Sequence, residues 1–184
     1  MNKKKSNQLI IYIVSVVVLF AIPIFTIASN TNTLKDGTEF LFKVEAYDPY
    51  DMFRGNYLNI NFEEDTAFYI PDYNNSKEEN YRKEECYVTI GTREDGFAYF
   101  KTAGSKKPNN TSDYFKTTGY YSEYDNKFSV DTPNRYYMNE DKSENAEKIY
   151  RENLDNAYVK VRVKDGKMVL VGVYINDILI DSID

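Results

Sequence analysis

Apolar and polar positions alternate along most of this chain. Phe40, Phe42 and Val44 interleave with Leu41, Lys43 and Glu45, a period of two that predicts a strand ending at Asp48-Pro49. Leu58, Ile60 and Phe62 share one face of a second strand over residues 57–62, with Tyr57, Asn59 and Asn61 on the other. Residues 63–85 are polar, with Phe68, Tyr69 and Ile70 expected to tack them to the core. Segments 86–92 and 97–102 predict a hairpin closed by Arg93-Glu94-Asp95-Gly96. Residues 105–113 form a loop, and further strands are expected at 115–121 and 127–130. A helix is predicted over 141–154, capped by Asp141 with Glu144 as its capping-box partner and with Ala146, Ile149, Tyr150 and Leu154 on one stripe.

The sharpest pattern is terminal. Residues 158–175 predict a hairpin around Asp165-Gly166, a two-residue turn that needs positive φ at both positions. That turn sets Val163 opposite Met168, Val161 opposite Leu170 and Val159 opposite Gly172. The second strand, MVLVGVYI, is apolar on both faces, which predicts a central strand covered on both sides. Gly172 within it signals a bulge or a close backbone approach.

One segment breaks the alternation. Residues 9–27 are uncharged and long enough, at roughly 28 Å as a helix, to cross the hydrocarbon of a bilayer. Pro23 predicts a kink or an early helix end. Lys3, Lys4 and Lys5 precede the segment and no Lys or Arg follows until Lys35, which sets the N-terminus in the cytoplasm and the rest outside. A cleaved signal peptide is the competing reading, but the apolar run exceeds the usual signal core of about 7–15 residues. The expected organisation is a basic tail at 1–8, a transmembrane anchor at 9–27, a turn-rich linker at 28–37 and an extracytoplasmic β-rich domain at 38–184. The fold class expected is mainly β, an antiparallel sandwich or barrel-like domain with one short helix, plus the N-terminal transmembrane helix.

Composition narrows the chemistry. The chain has no His, no Trp and one Cys, so every site that needs His, and every disulfide within the chain, is excluded. Cys86 is expected to be a small buried hydrophobe. The 23 basic and 29 acidic residues leave a net charge of −6, and without residues 1–27 the balance is −9, which disfavours nucleic acid as a partner. Glu63, Glu64 and Asp65 lack the spacing of a calcium loop, so no metal and no cofactor is expected. Asn74, Asn109 and Asn110 begin glycosylation-type triplets read as Asn-rich loop.

The segment Asp48-Pro49-Tyr50-Asp51-Met52-Phe53-Arg54-Gly55-Asn56-Tyr57-Leu58-Asn59-Ile60-Asn61-Phe62 resembles the signature of the GDYXXLXY family of small membrane-anchored bacterial proteins. Gly55 and Tyr57 match it, whereas Asn56 stands for Asp, Ile60 for Leu and Phe62 for Tyr. The lead Asp48-Pro49, Asp51 and Phe53-Arg54 is similar to the family's D-P-R-D-x-x-R-G, with Tyr50 in place of Arg. Residues 129–140 and the Asp165–Ile175 ending are similar to two further family segments. The resemblance implies an anchor in the bacterial cytoplasmic membrane and a polytopic membrane protein as partner, and it implies no reaction.

The motif has two physical readings. In one, Arg54 pairs Asp48 or Asp51 across a turn shaped by Pro49 and Gly55 and merely locks the loop. In the other, Asp48, Pro49, Asp51, Phe53, Arg54, Gly55, Asn56 and Tyr57 form a partner-binding surface, since Tyr and Arg are the usual interface anchors. The function expected is thus a membrane-anchored accessory or interaction protein. The alternatives are a membrane-bound hydrolase using Ser105 and Lys106, and a domain that holds a small ligand or lipid in an apolar cavity.

Overall fold

A computed structural model describes residues 3–45, 57–70, 83–122 and 124–183. Helix α1 (Lys3–Asp36) passes through Pro23 without ending there. Its stretch Ile10–Asp36 is long and apolar enough to cross a membrane, and no residue of its apolar window is covered by the rest of the chain. Phe25, at 75% exposure, is typical of it. Two hydroxyls in this stretch return to their own backbone, Ser15 Oγ donating to Ile11 O at 2.9 Å and Thr26 Oγ1 to Ile22 O at 3.0 Å. Each thus meets the bilayer with its hydrogen bond already made.

The linker expected at 28–37 is instead helix as far as Asp36. Ser, Asn and Thr are weak helix formers, so the cause is tertiary. Three cations from the terminal hairpin hold the last turns. Arg162 donates to the carbonyls of Leu34 and, at 3.2 Å, Lys35. Lys164 Nζ reaches Asp36 at 2.9 Å and Asn32 at 3.3 Å, and Lys167 Nζ donates to Ser29 Oγ at 3.1 Å. Cations at a helix C-terminus satisfy its orphan carbonyls and complement its dipole. Thr33 is buried against this face, and Gly37 ends the helix where a side chain would meet Thr33 O at 2.4 Å.

Strand β1 (Thr38–Glu45) follows at once, with Phe40, Phe42 and Val44 buried as the alternation predicts. The strand expected over 57–62 is divided at Ile60 into β2 (Tyr57–Asn59) and β3 (Asn61–Phe62). Leu58, Ile60 and Phe62 all remain buried, so the predicted face is kept while the hydrogen-bond partners change. Strands β4 (Thr66–Ile70), β5 (Lys83–Thr92), β6 (Ala98–Gly104), β7 (Tyr114–Ser122), β8 (Lys127–Val130) and β9 (Arg135–Tyr137) come next. Helix α2 (Glu140–Glu152) and a 3-10 turn at Leu154–Asn156 precede β10 (Ala157–Lys164), β11 (Lys167–Ile175) and β12 (Ile178–Leu179).

Two β layers result. One sheet runs β12-β11-β10-β1-β3, and β4-β6-β5-β7-β8 close a barrel; β2 and β9 pair apart from both. Among the described strands all pairings are antiparallel except β4 with β6, and that parallel pair completes the barrel. One core serves both layers. Phe42 from the sheet lies 5.2 Å from Phe62 and 4.9 Å from Phe100 of the barrel, which is 5.6 Å from Phe115. Val88, Phe100, Phe115 and Phe128 are buried in that core.

The terminal hairpin folds as expected, with Asp165 and Gly166 at φ 51° and 80°. Val163 faces Met168 and Val161 faces Leu170, but Val159 faces Val173, because a bulge falls between Lys160 and Val161 and sets Lys160 opposite Gly172. Strand β11 is second from the sheet edge rather than central. The C-terminal turns of α1 contact both strands of this hairpin, and Leu179 of β12 lies against Gly172. Of the segment 68–70, Tyr69 packs on Phe128 while Phe68 and Ile70 point outward. At α2 the N-cap is Asn139, not Asp141, and its side chain makes no capping bond. The stripe is kept, with Ala146 and Tyr150 buried.

Candidate functional site

Of the eight residues proposed from the motif, Asp48, Pro49, Asp51, Phe53, Arg54, Gly55 and Asn56 lie outside the described residues. Tyr57 is described. It opens β2 directly opposite Tyr137 of β9, and the rings meet at 5.5 Å and 55°. The Arg135 guanidinium lies 5.2 Å from the Tyr57 ring centroid. Burial of Leu58, between Tyr57 and Asn59, turns the Tyr57 ring to the outer face. Tyr137 is 66% exposed. The result is a ledge of two tyrosines and an arginine, in which the tyrosines offer large contact area with few rotamers to order on binding.

The residue between Arg135 and Tyr137 points the other way. Tyr136 donates to Asp181 Oδ2 at 2.7 Å, and Lys142 of α2 donates to the Asp181 carbonyl at 2.8 Å. Burial, then the Asp181 hydrogen bond and charge, push the Tyr136 phenol well above its ordinary pKa, so it stays a neutral donor. This bond ties β9, and with it the ledge, to the C-terminal turn Ile180–Ser182. Beside it Tyr137, Met138, Asn139, Lys142 and Asp181 line an open cleft of about 500 Å3. Sequence reasoning missed Arg135 and Tyr137. The alternation in Arg135-Tyr136-Tyr137 marks them as outward, but only strand pairing brings them to Tyr57.

The remaining candidates do not assemble chemistry. Glu63, Glu64 and Asp65 are exposed, and Glu64 pairs with Arg93. Among the described residues no three or more acidic or Cys side chains gather to hold a metal. Ser105 and Lys106 are both exposed in the β6–β7 loop, which is unlike the buried Lys that a Ser–Lys nucleophile requires. Asn109 and Asn110 are exposed in the same loop, and Asn74 lies outside the described residues.

Cys86 is 2% exposed in β5. Burial, with the charges of Asp131 and Glu84, pushes its thiol up to about 12. That leaves on the order of a thousandfold less thiolate than an exposed thiol at neutral pH. In the native full chain Cys86 will therefore resist an aromatic disulfide reagent, and it will react promptly once urea unfolds the domain. Equal rates in the two states would contradict the burial.

A family model described as GDYXXLXY protein matches residues 19–173. The match begins within α1 and ends in β11, and so spans both β layers and the ledge. No curated protein and no solved structure matches the chain.

Proposed function

The chain belongs to the GDYXXLXY protein family, and from that premise we propose that it is a membrane-anchored accessory protein that engages an integral membrane protein through the Tyr57–Arg135–Tyr137 ledge and the adjoining motif. The observation that carries this reading is the ledge itself, a Tyr–Tyr–Arg cluster with Arg135 and Tyr137 exposed and a half-buried Tyr136–Asp181 bond behind it. The docked end of α1 supports it further. The helix enters the sheet without a flexible joint, so the ledge keeps one orientation relative to the bilayer. Lys3, Lys4 and Lys5 orient the chain with its β domain outside the cytoplasm, in a bacterial cytoplasmic membrane.

A photo-crosslinking residue placed at Tyr137 in the full chain, expressed at native level, tests the reading. It should yield an adduct with a protein that resists alkaline extraction from the membrane. Adding Tyr57→Ala and Arg135→Ala should reduce the adduct about tenfold or more, as expected when two interface anchors are removed. The same crosslinker at Tyr124, fully exposed in the β7–β8 turn, serves as control. Equal labelling from both positions would sink the proposal.

A further inference from the structure

A second surface of the domain has the chemistry of an anion site. A cleft of about 590 Å3 opens where β5, β6 and the 105–113 loop meet, and its polar lining includes Thr89, Lys101, Thr102, Lys107 and Thr111. Lys101 and Lys107 line it, and among the described residues no carboxylate does. In a chain with more acidic than basic residues this is a strong local segregation. Asp113, the sole acid of the loop, is not in the lining and instead accepts from Ser112 Oγ at 3.2 Å. The Thr89 and Thr102 hydroxyls pair at 2.6 Å across β5 and β6, which sets two hydroxyls on one wall. Lys107 Nζ lies 5.5 Å from the Tyr114 ring centroid, and among the described residues neither Lys101 nor Lys107 meets a carboxylate at ion-pair distance.

The cleft is also tied to the membrane end of the domain. Tyr114 packs against Gly166 at the tip of the β10–β11 hairpin, where Lys116 N donates to Gly166 O at 2.7 Å. The next residue, Lys167, donates to Ser29 Oγ, two residues beyond the apolar run that ends at Ile27. The segments that meet here, 105–116 and 160–167, carry seven basic residues against two acidic, and four of the seven, Lys116, Lys160, Arg162 and Lys164, are ion-paired with Glu85, Glu39 and Asp36. Lysine ammonium groups and threonine hydroxyls lining one cleft match the needs of a phosphate oxyanion.

We propose that this cleft binds a phosphate group, and that the phosphate belongs to the headgroup of an anionic lipid in the bilayer that holds α1. The lipid source rests on the membrane-anchored reading, whereas the anion site does not; a soluble phosphate ester carries the same chemistry.

The test uses the full chain in nanodiscs of phosphatidylcholine, with and without phosphatidylglycerol, and reads lysine acetylation by mass spectrometry. Phosphatidylglycerol should slow acetylation of Lys101 and Lys107 about tenfold relative to exposed Lys148, as a charge-assisted contact would. In neutral detergent, the affinity for a fluorescent short-chain phosphatidylglycerol should fall about tenfold or more in the K101Q/K107Q double variant and not in K148Q. Lys101 and Lys107 are exposed, so thermal unfolding of the double variant should be unchanged. Equal protection by glycerol phosphate in plain phosphatidylcholine discs would retain the phosphate site and overturn the lipid source. Lack of protection by either, protection spread equally to Lys148, or undiminished affinity in K101Q/K107Q would overturn the site. None of these results bears on crosslinking at Tyr137, so the two proposals fail separately.

Discussion

Phe42→Ala will destabilise the β domain by about 3–5 kcal/mol, the usual cost of emptying a buried phenylalanine site. Phe42 is 2% exposed and its ring bridges the two β layers, meeting Phe62 edge-on and Phe100 at a tilt. Its backbone neighbour in the sheet is the fully buried Val159. Collapse around the cavity is restricted, because both sides of it are hydrogen-bonded sheet rather than loop. Urea unfolding of the full chain in detergent, followed by near-ultraviolet circular dichroism, will measure the loss. The chain has 18 Tyr and no Trp, and Tyr12 alone lies in the described apolar stretch of α1, so the signal reports the β domain. A loss below about 1 kcal/mol, the average for any substitution, would mean that the two layers do not share a core.

A single methyl group in the barrel will have an effect of similar size. Gly119 in β7 pairs with Val130 in β8, and a Cβ there would sit 1.9 Å from the Ser129 carbonyl and 2.4 Å from the Phe128 ring. The obstacle is backbone, so no rotamer change relieves it. The strand pair must open, although Thr117 Oγ1 donates to Asp131 O at 2.6 Å and Asp131 N to Thr118 O at 2.9 Å just beyond. Gly119→Ala should cost about 3 kcal/mol, at the upper end of ordinary overpacking. Gly104→Ala is the contrast. Its Cβ would meet Ile70 O at 3.5 Å, an ordinary contact, and its cost should stay within about 1 kcal/mol. Equal effects in the two variants would argue against the β7–β8 pairing that the barrel needs.

The membrane helix, the terminal hairpin and the β5–β6 hairpin are readable from the chain, because each is specified by neighbours close in sequence. Asp165-Gly166 carries its own turn preference. The alternation of Leu58, Ile60 and Phe62 records their burial whichever strand they pair with. The ledge is different. Tyr57 is readable as a candidate from the motif, but Arg135 and Tyr137 join it through a pairing across about eighty residues of chain. Nothing local in Arg135-Tyr136-Tyr137 names that partner. The cationic cleft is less plain, because Lys101 and Lys107 share it with Thr89 only through the β5–β6 pairing.

By itself, then, the sequence determined the local elements of this protein, their buried faces, the apolar helix and the kinds of site ruled out by the missing His and the lone Cys. Tertiary structure alone decided that residues 29–36 stay helical, that one predicted strand serves two pairings, and that β4 closes a barrel through a parallel partner. The physical reason is the range of the forces involved. Alternation and turn chemistry act over a few residues, whereas the carbonyls of Leu34 and Lys35 are satisfied by an arginine more than 120 residues away.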